Sequence, residues 1–195
     1  VFYYILRTSE KYQNFSLINE SEKIQMMKKI LPFREETEQQ KLYLCEKNLK
    51  KISMYKNQWP IPSKEDAVFA ELMSRYRSMC NELGKLDFDD MILLCHTLFL
   101  EEPQIKEMWQ ERFDYILIDE FQDVNGRQYE LTKMLAEKHK NLFVVGDDDQ
   151  AIYSFRGSAP QYMKQILVDF PECRTVYLED NFRCGANIVS AACKS

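Results

Sequence analysis

The run Phe113-Asp114-Tyr115-Ile116-Leu117-Ile118-Asp119-Glu120-Phe121-Gln122-Asp123 constrains this chain more than any other stretch. Tyr115 to Ile118 reads as a short buried strand that stops at two adjacent carboxylates. In open α/β sheets, ligands bind just beyond the carboxyl ends of the strands. Asp119, Glu120 and Asp123 would stand together at such an edge. That pattern suits a nucleotide-bound Mg²⁺ held through Asp119, with Glu120 placed to take a proton from an attacking water. The alternative is a strand that ends in a solvated acidic turn.

The pattern recurs downstream. Leu142 to Val145 is a second buried run, ending in Gly146-Asp147-Asp148-Asp149, and Thr175 to Leu178 reads as a third strand. Helical segments around 128–137 and 160–168 separate them, so βαβ units and a parallel sheet are expected. Upstream of Pro103 the character is helical. Ile24, Met27 and Leu31 recur at helical spacing, as do Leu42, Cys45, Leu49 and Ile52. Ser63 with Asp66, and Asp87 with Asp90, read as capping arrangements that open two further helices, and Gly84 suits the C-cap of the first. The expected architecture is an α/β module with a helical module inserted into it or placed before it.

Composition narrows the partners. The 195 residues allow one large or two small domains, and 45% hydrophobic content excludes disorder. No apolar run approaches the ~20 residues that span a bilayer, so no membrane partner is expected. Six cysteines lie at 45, 80, 95, 173, 184 and 193, with no Cys-x-x-Cys pair. They read as reduced thiols of a cytoplasmic protein rather than a zinc site. A net charge of −5 argues against a generally basic nucleic-acid binder but leaves room for a local patch. Residues 41–64 supply one: lysines 41, 47, 50, 51, 56 and 64 face a single acid, Glu46, with Tyr43, Tyr55 and Trp59 interleaved. Lys50, Lys51 and Lys56 could hold duplex backbone there, or could simply be a solvated helix face. Val1 and the unfinished helix at 188–195 read as cut ends.

The second strand's exit continues Gly146-Asp147-Asp148-Asp149-Gln150-Ala151-Ile152-Tyr153-Ser154-Phe155-Arg156-Gly157. Tyr153 and Phe155 could stack on unpaired bases while Arg156 neutralises a phosphate, although a core aromatic pair fits as well. The third strand leads into Leu178-Glu179-Asp180-Asn181-Phe182-Arg183, where Arg183 could reach a γ-phosphate or be merely solvated.

In this order, Asp-Glu-Phe-Gln-Asp, the Gly146–Gly157 segment and Leu-Glu-Asp-Asn-Phe-Arg resemble the UvrD/Rep (PcrA-like) family of superfamily 1 DNA helicases. Leu86 to Met91, Ile52 to Asn57 with Pro60, and Phe2 to Arg7 extend the resemblance over nearly the whole chain. It implies a partial RecA-like P-loop NTPase sheet plus an all-α inserted subdomain. Residues 1–15 would be the tail of the first motor segment and 16–85 helical subdomain 1B. Residues 86–180 would be part of motor domain 1A, and 181–195 the start of the connection to a second motor domain. ATP and Mg²⁺ are the implied cofactors, and single-stranded DNA and single/double-strand junctions the implied partners. By the same resemblance Asp119 binds Mg²⁺, Glu120 is the general base, and Gln150 senses the γ-phosphate. Gln150 would couple to DNA through Tyr153, Phe155 and Arg156, with Phe182 stacking on adenine and Arg183 on the γ-phosphate. The family usually has Trp at 155, Tyr at 182 and Thr at 124, where this chain has Phe, Phe and Val.

Such enzymes need a phosphate-cradling Gly-x-x-x-x-Gly-Lys-[Ser/Thr] loop, and none of the glycines at 84, 126, 146, 157 and 185 completes it. The expected function is therefore a fragment of an ATP-dependent 3′–5′ DNA helicase, inactive alone. Alternatives are a helicase subunit of a RecB/AddA-type helicase-nuclease and a truncated, non-catalytic DNA- or partner-binding module. A sheet without its loop strand would expose an edge or an apolar face, so a dimer covering that surface is also expected.

Overall fold

The computed structural model describes residues 1–58, 66–150 and 161–192, the side chains of residues 148 and 192 excepted. These fall into two compact units, residues 1–164 and 165–195.

In the first unit, the short helix α1 (Phe2–Leu6) leads to strand β1 (Ser16–Leu17), then helices α2 (Glu20–Ile30) and α3 (Glu38–Asn57). Helix α4 (Ala67–Glu82) runs into β2 (Lys85–Leu86), followed by α5 (Phe88–Glu101) and α6 (Pro103–Arg112). Strand β3 (Ile116–Ile118), helix α7 (Gly126–Ala136) and strand β4 (Leu142–Val144) follow. Helix α8 (Gln161–Asp169) crosses the division between the units, and α9 (Ala186–Ala192) lies in the second.

Helix starts are set locally. Reciprocal capping boxes, Asn19 with Glu22, Thr37 with Gln40, Asp87 with Asp90 and Asn125 with Gln128, satisfy the orphan amides of α2, α3, α5 and α7. At α4 the N-cap is Asp66 itself, accepting from Val68 N, and Ser63 lies outside the described residues. Gly84, with φ of +60°, closes that helix in the left-handed conformation anticipated for it.

Two apolar cores result. Ile18, Met26 and Met27, Cys45 and Ile52, and Met73, Tyr76 and Cys80 pack α2, α3 and α4 together. Ile5, Leu6, Cys95, Leu98, Phe99, Trp109 and Leu131 pack α1, α5, α6 and α7. The helical lobe α2–α4 leaves and returns through paired strands: β1 and β2 are parallel, Ser16 opposite Lys85 and Leu17 opposite Leu86.

β3 and β4 are also parallel, with Ile116, Leu117 and Ile118 opposite Leu142, Phe143 and Val144. The fold is thus mixed α/β, mostly helical with short parallel strands. Two expectations need correction. The strands are half-buried rather than buried, because only one face of the pair is covered; Leu117 is 72% and Phe143 61% exposed. Residues 175–178 form no strand: Val176, Tyr177 and Leu178 are exposed, and no described segment offers them a ladder. Local β-propensity cannot substitute for backbone partners.

Candidate nucleotide site at the strand exits

The ladder holds the two exits side by side. Val145 N donates to Ile118 O at 2.9 Å, and Phe121 N donates to Val145 O at 2.9 Å. Phe121 is buried edge-on against Tyr129, ring centroids 6.1 Å apart, and anchors the loop to α7. Between strand and anchor the chain must turn out. Glu120 does so with φ 52° and ψ 44°, a left-handed conformation that is uncommon outside glycine. The turn closes with Asp123 N donating to Glu120 O at 2.9 Å, and Asn125 then caps α7. Asp119 and Glu120 are consequently solvent-exposed at the sheet edge, where Asp119 Oδ1 accepts from Glu120 N at 3.0 Å.

At the β4 exit, Asp147 organises the next turn. Its carboxylate accepts from Asp149 N at 3.1 Å and from Gln150 Nε2 at 2.6 Å, so Gln150 is held on the same rim. One residue not singled out from sequence joins the exits: Gln122, 1% exposed, whose amide reaches both Glu120 and Asp147. Little in the local sequence marks it, since Glu120 is two residues before it but Asp147 lies on the neighbouring exit.

Tyr153, Phe155 and Arg156 lie outside the described residues. Phe182 and Arg183 sit in the second unit on an exposed turn, where Asn181 Oδ1 accepts from Arg183 N at 3.0 Å and Cys184 N at 2.9 Å. Phe182 is 95% exposed, an unburied aromatic face.

The lysine patch needs a correction. Lys50 and Lys51 are exposed on α3, but Lys56 is 0% exposed and cannot meet DNA. Its ammonium lies 2.8 Å from Asp87 Oδ2 and 2.7 Å from Asp90 Oδ1, and Tyr76 OH also donates to Asp87 Oδ2 at 3.1 Å. Burial alone would lower the Lys56 pKa; the two carboxylates outweigh that and hold it above its ordinary value. Burial likewise pushes Asp87 up, but the Lys56 charge together with the hydrogen bonds from Lys56 and from Asp90 N more than offsets it, and Asp87 is held below its ordinary value. For Asp90 burial prevails, helped by the Asp87 charge, so its carboxyl is held above its ordinary value.

The family model described as the UvrD/REP helicase N-terminal domain matches residues 3–171. The chain belongs to the UvrD/Rep helicase family. Among its relatives, the ATP-dependent DNA helicase Rep of Escherichia coli (strain K12) is 35% identical over 187 residues, covering 92% of this chain and 27% of that protein. Rep of Buchnera aphidicola subsp. Acyrthosiphon pisum is 36% identical over 191 residues, 94% of this chain and 29% of that protein. The ATP-dependent DNA helicase PcrA of Staphylococcus epidermidis (strain RP62A) is 36% identical over 190 residues, covering 92% and 26%. This UvrD/Rep chain thus spans less than a third of the length of these relatives.

The UvrD/Rep exits fit a metal-bound nucleotide in one specific way. No cluster of three metal-ligating side chains exists among the described residues. Mg²⁺ is typically held by one or two carboxylates plus phosphates and water rather than by a protein cage. A single exposed carboxylate, Asp119, beside a second at Glu120, is that kind of donor set. No described helix is long and apolar enough to cross a membrane.

Proposed function

We propose that this chain is part of an ATP-dependent 3′–5′ DNA helicase, comprising part of a RecA-like motor domain 1A and its helical subdomain 1B. Adjacent Asp119 and Glu120 at the end of a parallel strand, beside Gln150 on the neighbouring exit, carry the reading. Asp119 would hold Mg²⁺, which supplies charge neutralisation at the transferring phosphoryl group when bound. Glu120 would take the proton of the attacking water, its left-handed backbone lifting the carboxylate off the strand axis. Gln150 would sense the γ-phosphate, Arg183 would contact it, and Phe182 would stack on adenine. Tyr153, Phe155 and Arg156 would grip single-stranded DNA, and Lys50 and Lys51 the duplex side of a junction.

The test uses the full-length gene product. Glu120→Gln keeps shape and removes the base, so single-stranded-DNA-stimulated ATP hydrolysis falls by about 10²–10⁴-fold while nucleotide still binds. Unchanged turnover would refute the assignment. The 195-residue chain alone, which contains no phosphate-cradling loop, hydrolyses no measurable ATP.

A further inference from the structure

We infer that Gln122 is the positioning residue that aims Glu120 and ties it to the Gln150 side of the site. This deepens the proposed ATPase reading and rests on it. Gln122 Nε2 donates to Glu120 Oε2 at 2.8 Å, and Gln122 Oε1 accepts from Asp147 N at 3.0 Å. Both ends of one buried amide are therefore used, one on each strand exit. From Asp147 the path continues, because its Oδ2 accepts from Gln150 Nε2 at 2.6 Å. Glu120 and Gln150 are thus linked through two residues, the Gln122 side chain and then the backbone N–H and carboxylate of Asp147.

The neighbouring backbone is shaped around this amide. A Cβ on Gly146 would meet Gln122 Oε1 at 2.7 Å, Gln122 N at 3.1 Å and Met163 Sδ at 3.1 Å. With Oε1 committed to Asp147 N, the side chain cannot swing aside without losing a bond. Gly146 is therefore required for close approach, its backbone not being left-handed. An amide also suits the position chemically. Its N–H₂ is a neutral donor that can orient a carboxylate while its oxygen accepts from a backbone amide.

The experiment uses the full-length gene product and the single-turnover rate constant of ATP hydrolysis at saturating ATP and single-stranded DNA. Affinity for a fluorescent ATP analogue is measured separately. Gln122→Met lowers the rate constant by about 10²-fold with nucleotide affinity near wild type, the signature of a misplaced catalytic group. Gln122→Glu keeps an acceptor for Asp147 N but sets a second carboxylate against Glu120. Its rate constant therefore stays as low as that of Gln122→Met while nucleotide affinity stays near wild type. A residue that merely pinned the turn would lower affinity together with the rate. Should Gln122→Met not fold, Gly146→Ala displaces the amide from the other strand and must lower the same rate constant. Wild-type rates in the Gln122 and Gly146 variants, with Glu120→Gln inactive, would overturn this inference alone. A fully active Glu120→Gln would overturn the ATPase reading beneath it.

Discussion

Replacing Lys56 by methionine should damage this protein more than any other single change to a charged residue of the helical lobe. The substitution keeps the length of the side chain and deletes the ammonium. Asp87 and Asp90, both buried, would then face one another with no cation between them. Breaking a buried ion pair by removing one partner costs about 3–5 kcal/mol, a large part of the 5–15 kcal/mol that holds a typical domain. With a urea m-value near 2 kcal/mol/M, the midpoint followed by far-UV circular dichroism falls by roughly 2 M. The loss depends on pH with a definite sign. In the variant, the orphaned carboxyls have folded pKa values raised above their unfolded ones, so destabilisation is greatest at high pH. It shrinks as pH falls toward the ordinary carboxyl value of about 4. In the wild type, Asp87 is held below its ordinary value and contributes stability above it, lost as pH falls through the folded pKa. Lys56, held above its ordinary value, contributes stability that is lost only as pH rises past that raised value. The variant's stability therefore declines from pH 5 to 9 more steeply than the wild type's. Adding Asp87→Asn and Asp90→Asn recovers more than half the loss, since Asn still caps α5 and no unpaired charge remains. A loss below about 1 kcal/mol for Lys56→Met, or no recovery in the triple variant, would refute the reasoning.

Three further outcomes follow from the same contacts. Charge reversal of Lys50 and Lys51 in the full-length gene product should weaken binding to a junction DNA and reduce the log–log salt slope by roughly 1–2; an unchanged slope removes the lysine patch from DNA binding. A Lys56 variant that remains folded should leave that slope alone, because the side chain is fully buried. Tyr115, Leu117 and Phe143 share the uncovered face of β3 and β4, so the 195-residue chain should self-associate in sedimentation velocity. Leu117→Lys with Phe143→Lys should restore a monomer at little cost in stability, and persistent association would exonerate that face.

What was legible in the sequence was what is local. The start of α5 could be read because Asp87 and Asp90 are three apart and act on each other's backbone. The exits at Asp119 and Gly146 could be read because a short apolar run ending in acids has few other uses. The fate of Lys56 was also written there, though less plainly: it follows Cys45, Leu49 and Ile52 at helical spacing, and so continues the apolar stripe that Lys50 and Lys51 leave. A lysine on such a stripe must snorkel or find carboxylates, and its partners sit some thirty residues away. Gln122 gave no such clue, because one partner is two residues before it and the other lies at the exit of β4. Residues 175–178 misled for the opposite reason: their composition favours a strand, but a strand exists only with a neighbour.

The converging helix ends explain why the lobe is joined by polar contacts rather than by oil. The C-terminus of α3 meets the N-termini of α5 and α7. Lys56 near the end of α3, and Asp87 and Asp90 at the start of α5, each carry the charge that the helix dipole favours there. The last carbonyls of α3 would be orphans, and Arg127 from α7 donates to one of them, Lys56 O at 2.6 Å, and to Gln58 O, at the C-cap, at 3.0 Å. Its Nη1 lies 3.3 Å from His96 Nδ1; a guanidinium only donates, so that nitrogen is the acceptor, and burial with the nearby arginine charge lowers the His96 pKa from its ordinary value. Asn57 donates to Asp89 at 2.7 Å and accepts from Asn125, the cap of α7, at 3.0 Å. Apolar surfaces tolerate sliding, whereas these bonds each demand one distance and one direction. Rotating α3 about its end would break several of them together, at about 1–3 kcal/mol for each buried group left unsatisfied. Because α7 begins three residues after Asp123, the lysine-bearing helix and the acidic exit are held by the same junction.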